Sequence, residues 1–84
     1  MGEMKQIGLV TRYFHKIGVA AIKLEGTLTV GDSIRIKGAT TDFEMEVASM
    51  QIDRKEIESG QKGQEIAIKV TGRVRENDSV FIIG

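Results

Sequence analysis

The chain has 84 residues, enough for one small domain but not for two separate hydrophobic cores. Its 12 Lys and Arg residues balance 12 Asp and Glu, so the formal net charge is zero, which excludes the broad positive field of a non-specific nucleic-acid binder. The absence of cysteine excludes disulfides, zinc fingers, iron–sulfur clusters and thiol nucleophiles. We expect a single domain over residues 1–84.

Membrane attachment is not expected. No stretch approaches the roughly 20 uncharged apolar residues that span a bilayer, and residues 1–6 lack the apolar core of a signal peptide. These features predict a soluble, cytoplasmic protein that does not bind a membrane.

The first predicted elements form a hairpin. Over residues 7–14, one face of the predicted strand carries Ile7, Leu9, Thr11 and Tyr13 and the other Gly8, Val10, Arg12 and Phe14. The apolar, β-branched stretch 19–24 is suited to a return strand after a turn at 15–18. Tyr13 and Phe14 occupy opposite faces of the first strand. One of them therefore belongs to the core and the other is partly exposed.

The next segment combines a turn with a strand. Gly31 and Asp32 indicate a tight turn at residues 26–32 that delivers Ile34 into a strand over 33–38, with Val30 holding the loop against the core. We expect Gly31 to adopt a backbone conformation that a branched residue resists.

The second half of the chain predicts three further strands. Over residues 42–52 the apolar positions change phase, which indicates a bulge or corner near Val47 and Ala48. After a turn at 60–63, residues 65–70 alternate cleanly, and residues 79–83 are apolar on both faces. Six or seven short strands without a helical pattern predict an all-β fold, a small closed antiparallel β-barrel. An open sandwich is the alternative.

Catalysis and cofactor binding are not expected. His15 is the single histidine, too few for a histidine-based metal centre, and no serine-based triad assembles around it. The alternating acidic pairs Glu44/Glu46 and Glu56/Glu58 are interpreted as solvated strand faces. No Gly-rich phosphate loop followed by Lys occurs, so neither GTP nor another nucleotide should bind. We expect no catalytic residue, no cofactor and no metal.

Two linked motifs resemble a known family. The string G-T-L-T-V-G-D at 26–32, followed by Ile34 and I-K-G at 36–38, resembles the second, β-barrel domain of the elongation factor Tu family. The segments 47–52, 54–63 and 66–70 are similar to a later signature of the same domain. The strings at 13–20 and 37–43 are also similar to small translation elongation factor-like proteins and to the C-terminal barrel of collagenase-like peptidases, relatives of which take part in tRNA hydroxylation.

The resemblance implies a translation-factor barrel without a GTPase domain. In elongation factors this barrel helps to hold the aminoacyl end of tRNA, and Arg54 stands at the position of a tRNA-contacting arginine. The first hairpin departs from the family pattern, because K-I-G at 16–18 replaces a glycine-arginine-glycine turn.

Local basic residues supply a candidate binding surface. Cations neutralise phosphate and an aromatic ring can stack on a base; the alternative is that these are ordinary solvated side chains. The candidate residues are Arg12, Tyr13, His15, Lys16, Arg54 and Lys55. The sequence thus predicts a non-enzymatic module that binds tRNA or ribosome-associated RNA. The alternative is an accessory protein–protein interaction barrel for a collagenase-like peptidase or a tRNA-handling, tRNA-modifying enzyme.

Overall fold

The computed structural model describes residues 4–83, so residues 1–3 of the N-terminal stretch and Gly84 lie outside it. This part of the chain contains ten strands and no helix, which confirms the predicted all-β class. The strands are β1 (Met4–Phe14), β2 (Val19–Leu24), β3 (Leu28–Thr29), β4 (Ser33–Lys37), β5 (Asp42–Glu46), β6 (Met50–Ile52), β7 (Lys55–Glu56), β8 (Ser59–Gly60), β9 (Glu65–Lys69) and β10 (Ser79–Ile83).

The strands form one large antiparallel sheet and one small ribbon. Eight strands pair in the order β5-β4-β10-β1-β2-β9-β6-β7, and β3 pairs with β8 separately. Because β5 and β7 are the two ends of the large sheet and are not paired with each other, its hydrogen-bond ladder does not close. The predicted closed six- to seven-stranded barrel is therefore not confirmed.

The ladder stays open because the strand expected over 42–52 is broken. Its first part, β5, pairs with β4 at one end of the sheet, and its last part, β6, pairs with β7 and β9 at the other. Residues 47–49 cross between the two ends, so the predicted change of phase marks a corner. Val47 is fully buried there; its N–H donates to the Asp32 carbonyl over 2.9 Å and its carbonyl accepts from the Gly31 N–H over 2.8 Å.

A single cluster of buried apolar side chains lies on the inner face of the sheet in the described part of the chain. In β4, buried Ile34 and Ile36 alternate with more exposed neighbours, and Ile66 and Ile68 do the same in β9. Full burial of such a side chain contributes about 1.5–3 kcal/mol. The largest fully buried side chains are Ile22, Leu24, Leu28, Ile34, Ile36, Met50, Ile66, Ile68, Val10, Val47, Val74 and Val80.

Strand β1 departs from simple alternation. Its register shifts between Gln6 and Gly8 against β10, and again between Val10 and Arg12 against β2. Such irregularities change which face a side chain occupies, so Ile7 and Val10 are both buried although alternation places them on opposite faces. Beyond the second shift, Tyr13 packs against the core, whereas Phe14 is 42% exposed.

The predicted turn at 26–32 contains the short strand β3. Its Leu28 is fully buried and holds the segment to the core, whereas Val30, expected to do so, is 36% exposed. The turn itself is as predicted: Gly31 has φ +99° and the Asp32 carboxylate accepts a 2.9 Å hydrogen bond from the Thr29 N–H.

An ion-pair network lies on the outer face of the β4–β5 hairpin. Arg35 donates through Nε and Nη2 to the two carboxylate oxygens of Asp42, over 2.7 and 3.1 Å, and its Nη1 lies 3.5 Å from Glu44 Oε2. The hydrogen bond from Arg35, followed by its charge, holds the pKa of Asp42 below its ordinary value. This pairing links neighbouring strands at the open β5 end of the sheet.

Replacing Gly31 with Val should lower the free energy of unfolding by about 1–3 kcal/mol. A Cβ at Gly31 meets no atom within 4 Å, so the loss arises from backbone strain at its positive φ rather than from a clash. Urea unfolding followed by circular dichroism measures it. Thr27→Val, in the same exposed loop, is the control and should stay within about 0.5 kcal/mol of the parent. An unchanged Gly31→Val midpoint would contradict this account of the turn.

The Asp42 ion pair should stabilise the fold only where Asp42 is ionised. Because the folded pKa lies below the unfolded value, the contribution is present above the unfolded pKa, near 3.9, and is lost as the pH falls through the folded pKa. The parent should therefore melt at a higher temperature than Asp42→Asn at neutral pH, and the difference should shrink towards zero as the pH falls through the folded pKa of Asp42. A difference that is independent of pH would exclude the ion pair as its origin.

Candidate functional site

The six candidate residues lie on two hairpins. The first group is on the β1–β2 hairpin, and the second is at the β6–β7 turn, where Asp53 and Arg54 have left-handed φ values of 51° and 68°. Tyr13 is half-buried and the other five side chains are exposed. The first group comprises Arg12, Tyr13, His15 and Lys16, and the second comprises Arg54 and Lys55.

The strand register separates the two groups. Val19, the first residue of β2, lies opposite Lys69, and Met50, the first residue of β6, lies opposite Ile68. Strand β6 therefore starts on the side of the sheet where the β1–β2 turn lies and runs away from that turn. The β6–β7 turn lies at the opposite end of these strands, so the six side chains do not form one continuous surface. Their role in binding stays a prediction.

A groove runs from the β1–β2 hairpin to the β3–β4 turn. It consists of three neighbouring concavities, each of which shares one lining residue with the next. The first, of about 340 Å³, is lined by residues 13–17 at the hairpin tip. The second, of about 200 Å³, shares Ile17 with the first. The third, of about 340 Å³, shares Ser49 with the second. We call this surface the hairpin groove; its apolar walls are Phe14 and Ile17 at the hairpin end and Val30 and Ile57 at the far end.

Small side chains form the floor of the hairpin groove. Ala48 and Ser49 come from the chain crossing, and Ala67 faces outward from β9, where it pairs with Ala21 of β2. Larger residues at these positions would fill the space between the hairpin and the β7–β8 segment. The groove therefore exists because the crossing brings two small residues to the outer face.

The groove concentrates the exposed apolar surface of the described residues. Ile17 is 64% exposed, Phe14 42% and Val30 36%; the other large apolar side chain in this class, Met4 at 44%, lies elsewhere. Scattered single apolar residues are normal on protein surfaces, but Phe14 and Ile17 are exposed together at the hairpin tip, and grouped exposed apolar side chains mark binding surfaces. The hairpin groove therefore has the character of an interface.

The charges along the groove are opposite at its two ends. Lys16 and Lys69 line it towards the hairpin, and Glu56 and Glu58 line it at the far end. The ion pairs found among residues 4–83 are both made by Arg35, so these four charges have no ion-pair partner there. The groove thus carries positive charge in its hairpin and middle concavities and negative charge in its far concavity.

Sequence reasoning missed most of the groove. Ile17 carries a usable signal, because a large apolar side chain inside a predicted turn has no core position to occupy. Ala48, Ile57 and Val30 carry no such signal, because the crossing that brings them together is a long-range feature.

Within residues 4–83, no group of three or more His, Asp or Glu side chains is placed to hold a metal ion. The same part of the chain contains no helix with the length and apolarity required to cross a membrane.

The chain is similar in sequence to parts of longer proteolytic proteins. No protein-family model matches it. It is 40% identical over 79 residues to an uncharacterised protease of Methanocaldococcus jannaschii, a match that covers 93% of this chain and 19% of the protease. It is 35% identical over 77 residues to a collagenase of Porphyromonas gingivalis, covering 89% of this chain and 21% of the collagenase. The chain thus spans about a fifth of the length of these curated relatives.

A solved structure has the same fold. The C-terminal domain of a putative U32 peptidase from Geobacillus thermoleovorans superposes with a TM-score of 0.86 at 18% identity, covering 90% of this chain and 89% of that chain. Its selenomethionine variant matches equally well, with 96% of that chain covered.

These similarities correct the functional prediction. The chain is homologous to a segment of protease and collagenase chains and has the fold of a U32 peptidase C-terminal domain. The resemblance to collagenase-like peptidases is confirmed, whereas the comparisons give no support for an elongation factor Tu domain. The prediction of a translation-factor module that binds tRNA or ribosome-associated RNA is therefore wrong.

Proposed function

We propose that the chain is a non-catalytic interaction domain. It uses the hairpin groove to dock onto the part of a collagenase-like peptidase that lies outside the segment matching this chain. The homology supports this role, because the matched segment is only about a fifth of each relative and the rest of each relative lies outside the match. The proposal treats residues 1–84 as one domain, and the absence of cysteine is in keeping with a cytoplasmic location.

The exposed apolar tip of the β1–β2 hairpin carries the proposal. Phe14 and Ile17 are large, water-exposed and continuous with a concave surface. Covering such a side chain completely gains about 1.5–3 kcal/mol, and a few central anchors usually dominate the energy of an interface. The hairpin tip supplies two anchors of this kind.

The polar groups of the groove support docking rather than catalysis. His15 is exposed at the hairpin tip, and Glu56 and Glu58 are exposed at the far end. General acid–base catalysis generally relies on groups tuned by burial or by close partners, and these side chains have neither feature. Of the candidate residues, Tyr13, His15 and Lys16 line the groove and belong to the proposed site. Arg12, Arg54 and Lys55 do not line it, and their role stays a prediction.

Replacing Ile17 with Asp should weaken binding to the peptidase by about tenfold or more, equivalent to ~1.4 kcal/mol, because a charge replaces an apolar anchor. The partner is a collagenase-like peptidase of the same organism. Any segment of the peptidase that matches this chain is deleted from it. Isothermal titration calorimetry of the 84-residue protein with this partner measures the affinity.

Met4→Asp provides the matched control, because Met4 is similarly exposed but lies outside the groove. It should bind within about twofold of the parent, and both variants should keep the parent melting temperature since exposed substitutions change stability little. Failure of the parent to bind the peptidase would refute the proposed function. Equal binding by the Ile17→Asp variant would exclude the hairpin groove as the docking site.

A further inference from the structure

We infer that the hairpin groove, with cationic side chains at one end and anionic side chains at the other, selects one kind of partner segment. We call this arrangement of charge the polarity of the groove. The segment is an extended stretch of polypeptide with acidic side chains at the hairpin end, apolar side chains in the middle and basic side chains at the far end. This inference rests on the proposed function and adds the chemistry and direction of the docked segment.

The charge distribution supplies the first part of the argument. Lys16 and Lys69 stand at one end and Glu56 and Glu58 at the other, all four exposed and none engaged in an ion pair in the described part of the chain. No anionic side chain lines the two concavities at the hairpin end, and no cationic side chain lines the far concavity. A segment with a single sign of charge would therefore be repelled at one end of the groove. A segment with acidic side chains beside the lysines and basic side chains beside the glutamates forms ion pairs at both ends.

The shape of the groove supplies the second part. Its three concavities follow one another, with Ile17 shared by the first and second and Ser49 by the second and third, so an occupant can place successive side chains in them. The small side chains of Ala48 and Ala67 line the groove beside Ser49, and the one charged residue that lines the middle concavity is Lys69. An extended segment, with its side chains along one line, fits this row better than a flat apolar surface does.

The two kinds of contact have different tasks. The apolar contacts at Phe14, Ile17 and Val30 supply most of the affinity, and the rim charges steer the encounter and fix the direction of the segment. Exposed ion pairs are individually weak, so reversing a single rim charge should change the affinity only moderately.

Charge reversal at both ends tests the polarity against the truncated peptidase. Lys69→Glu and Glu58→Lys should each weaken binding by about threefold. The double variant has the parent net charge but no net charge at either end of the groove, and we expect it to bind about tenfold more weakly than the parent. A double variant that binds like the parent would show that only net charge matters and would overturn the inference while leaving the proposed docking function intact. Lys5→Glu with Glu76→Lys, outside the groove, is the control and should bind like the parent.

A second arm uses short fluorescent peptides with a common leucine centre, titrated against the 84-residue protein by fluorescence anisotropy. One peptide has aspartates at one end and lysines at the other, one has aspartates at both ends and one has lysines at both ends. The mixed peptide should bind at least about threefold more tightly than either uniform peptide, and Ile17→Asp should weaken it. If the parent does not bind the peptidase but shows this preference, the proposed function fails and the groove polarity stands. Equal binding of the three peptides overturns the polarity.

Discussion

The chain crossing at residues 47–49 is the constraint on which the rest of the structure depends. Strands β5 and β6 are neighbours in sequence but lie towards opposite ends of an open sheet, so the three residues between them must cross its unclosed side. A buried backbone has to find hydrogen-bond partners, and Val47 finds them in Gly31 and Asp32. The same crossing places Ala48 and Ser49 between the β1–β2 hairpin and the β7–β8 segment, which creates the hairpin groove.

Local features of the fold are readable from the sequence. The alternation in β4 and β9 and the need for glycine at position 31 are encoded in a few neighbouring residues, and the structure agrees with them. Two-residue strands such as β3 and β8 are too short to show a period, so sequence patterning does not predict them. The shifts in β1 and the partners on either side of the crossing are set by register between distant strands, which no local pattern contains.

The family resemblance illustrates the difference between an architectural and a functional motif. In G-T-L-T-V-G-D, Leu28 is a core residue, Gly31 supplies a positive φ and Asp32 closes the turn with a hydrogen bond to Thr29. Each of these residues builds a strand–turn–strand unit and none is needed to contact RNA. A motif of this kind constrains the fold and leaves the partner open, and sequence identity to a protease and a collagenase favours the peptidase-associated alternative over RNA binding.

Mapping the contact surface tests the central claim most directly. Amide chemical shifts of the isotopically labelled 84-residue protein would be recorded with and without the peptidase that lacks its matching segment. The account predicts that the largest changes occur at Ile17, Ala48, Ser49 and Ile57, with little change at the β6–β7 turn around Arg54 and Lys55. Changes concentrated at that turn, with the hairpin groove unaffected, would contradict the claim that the groove is the docking surface.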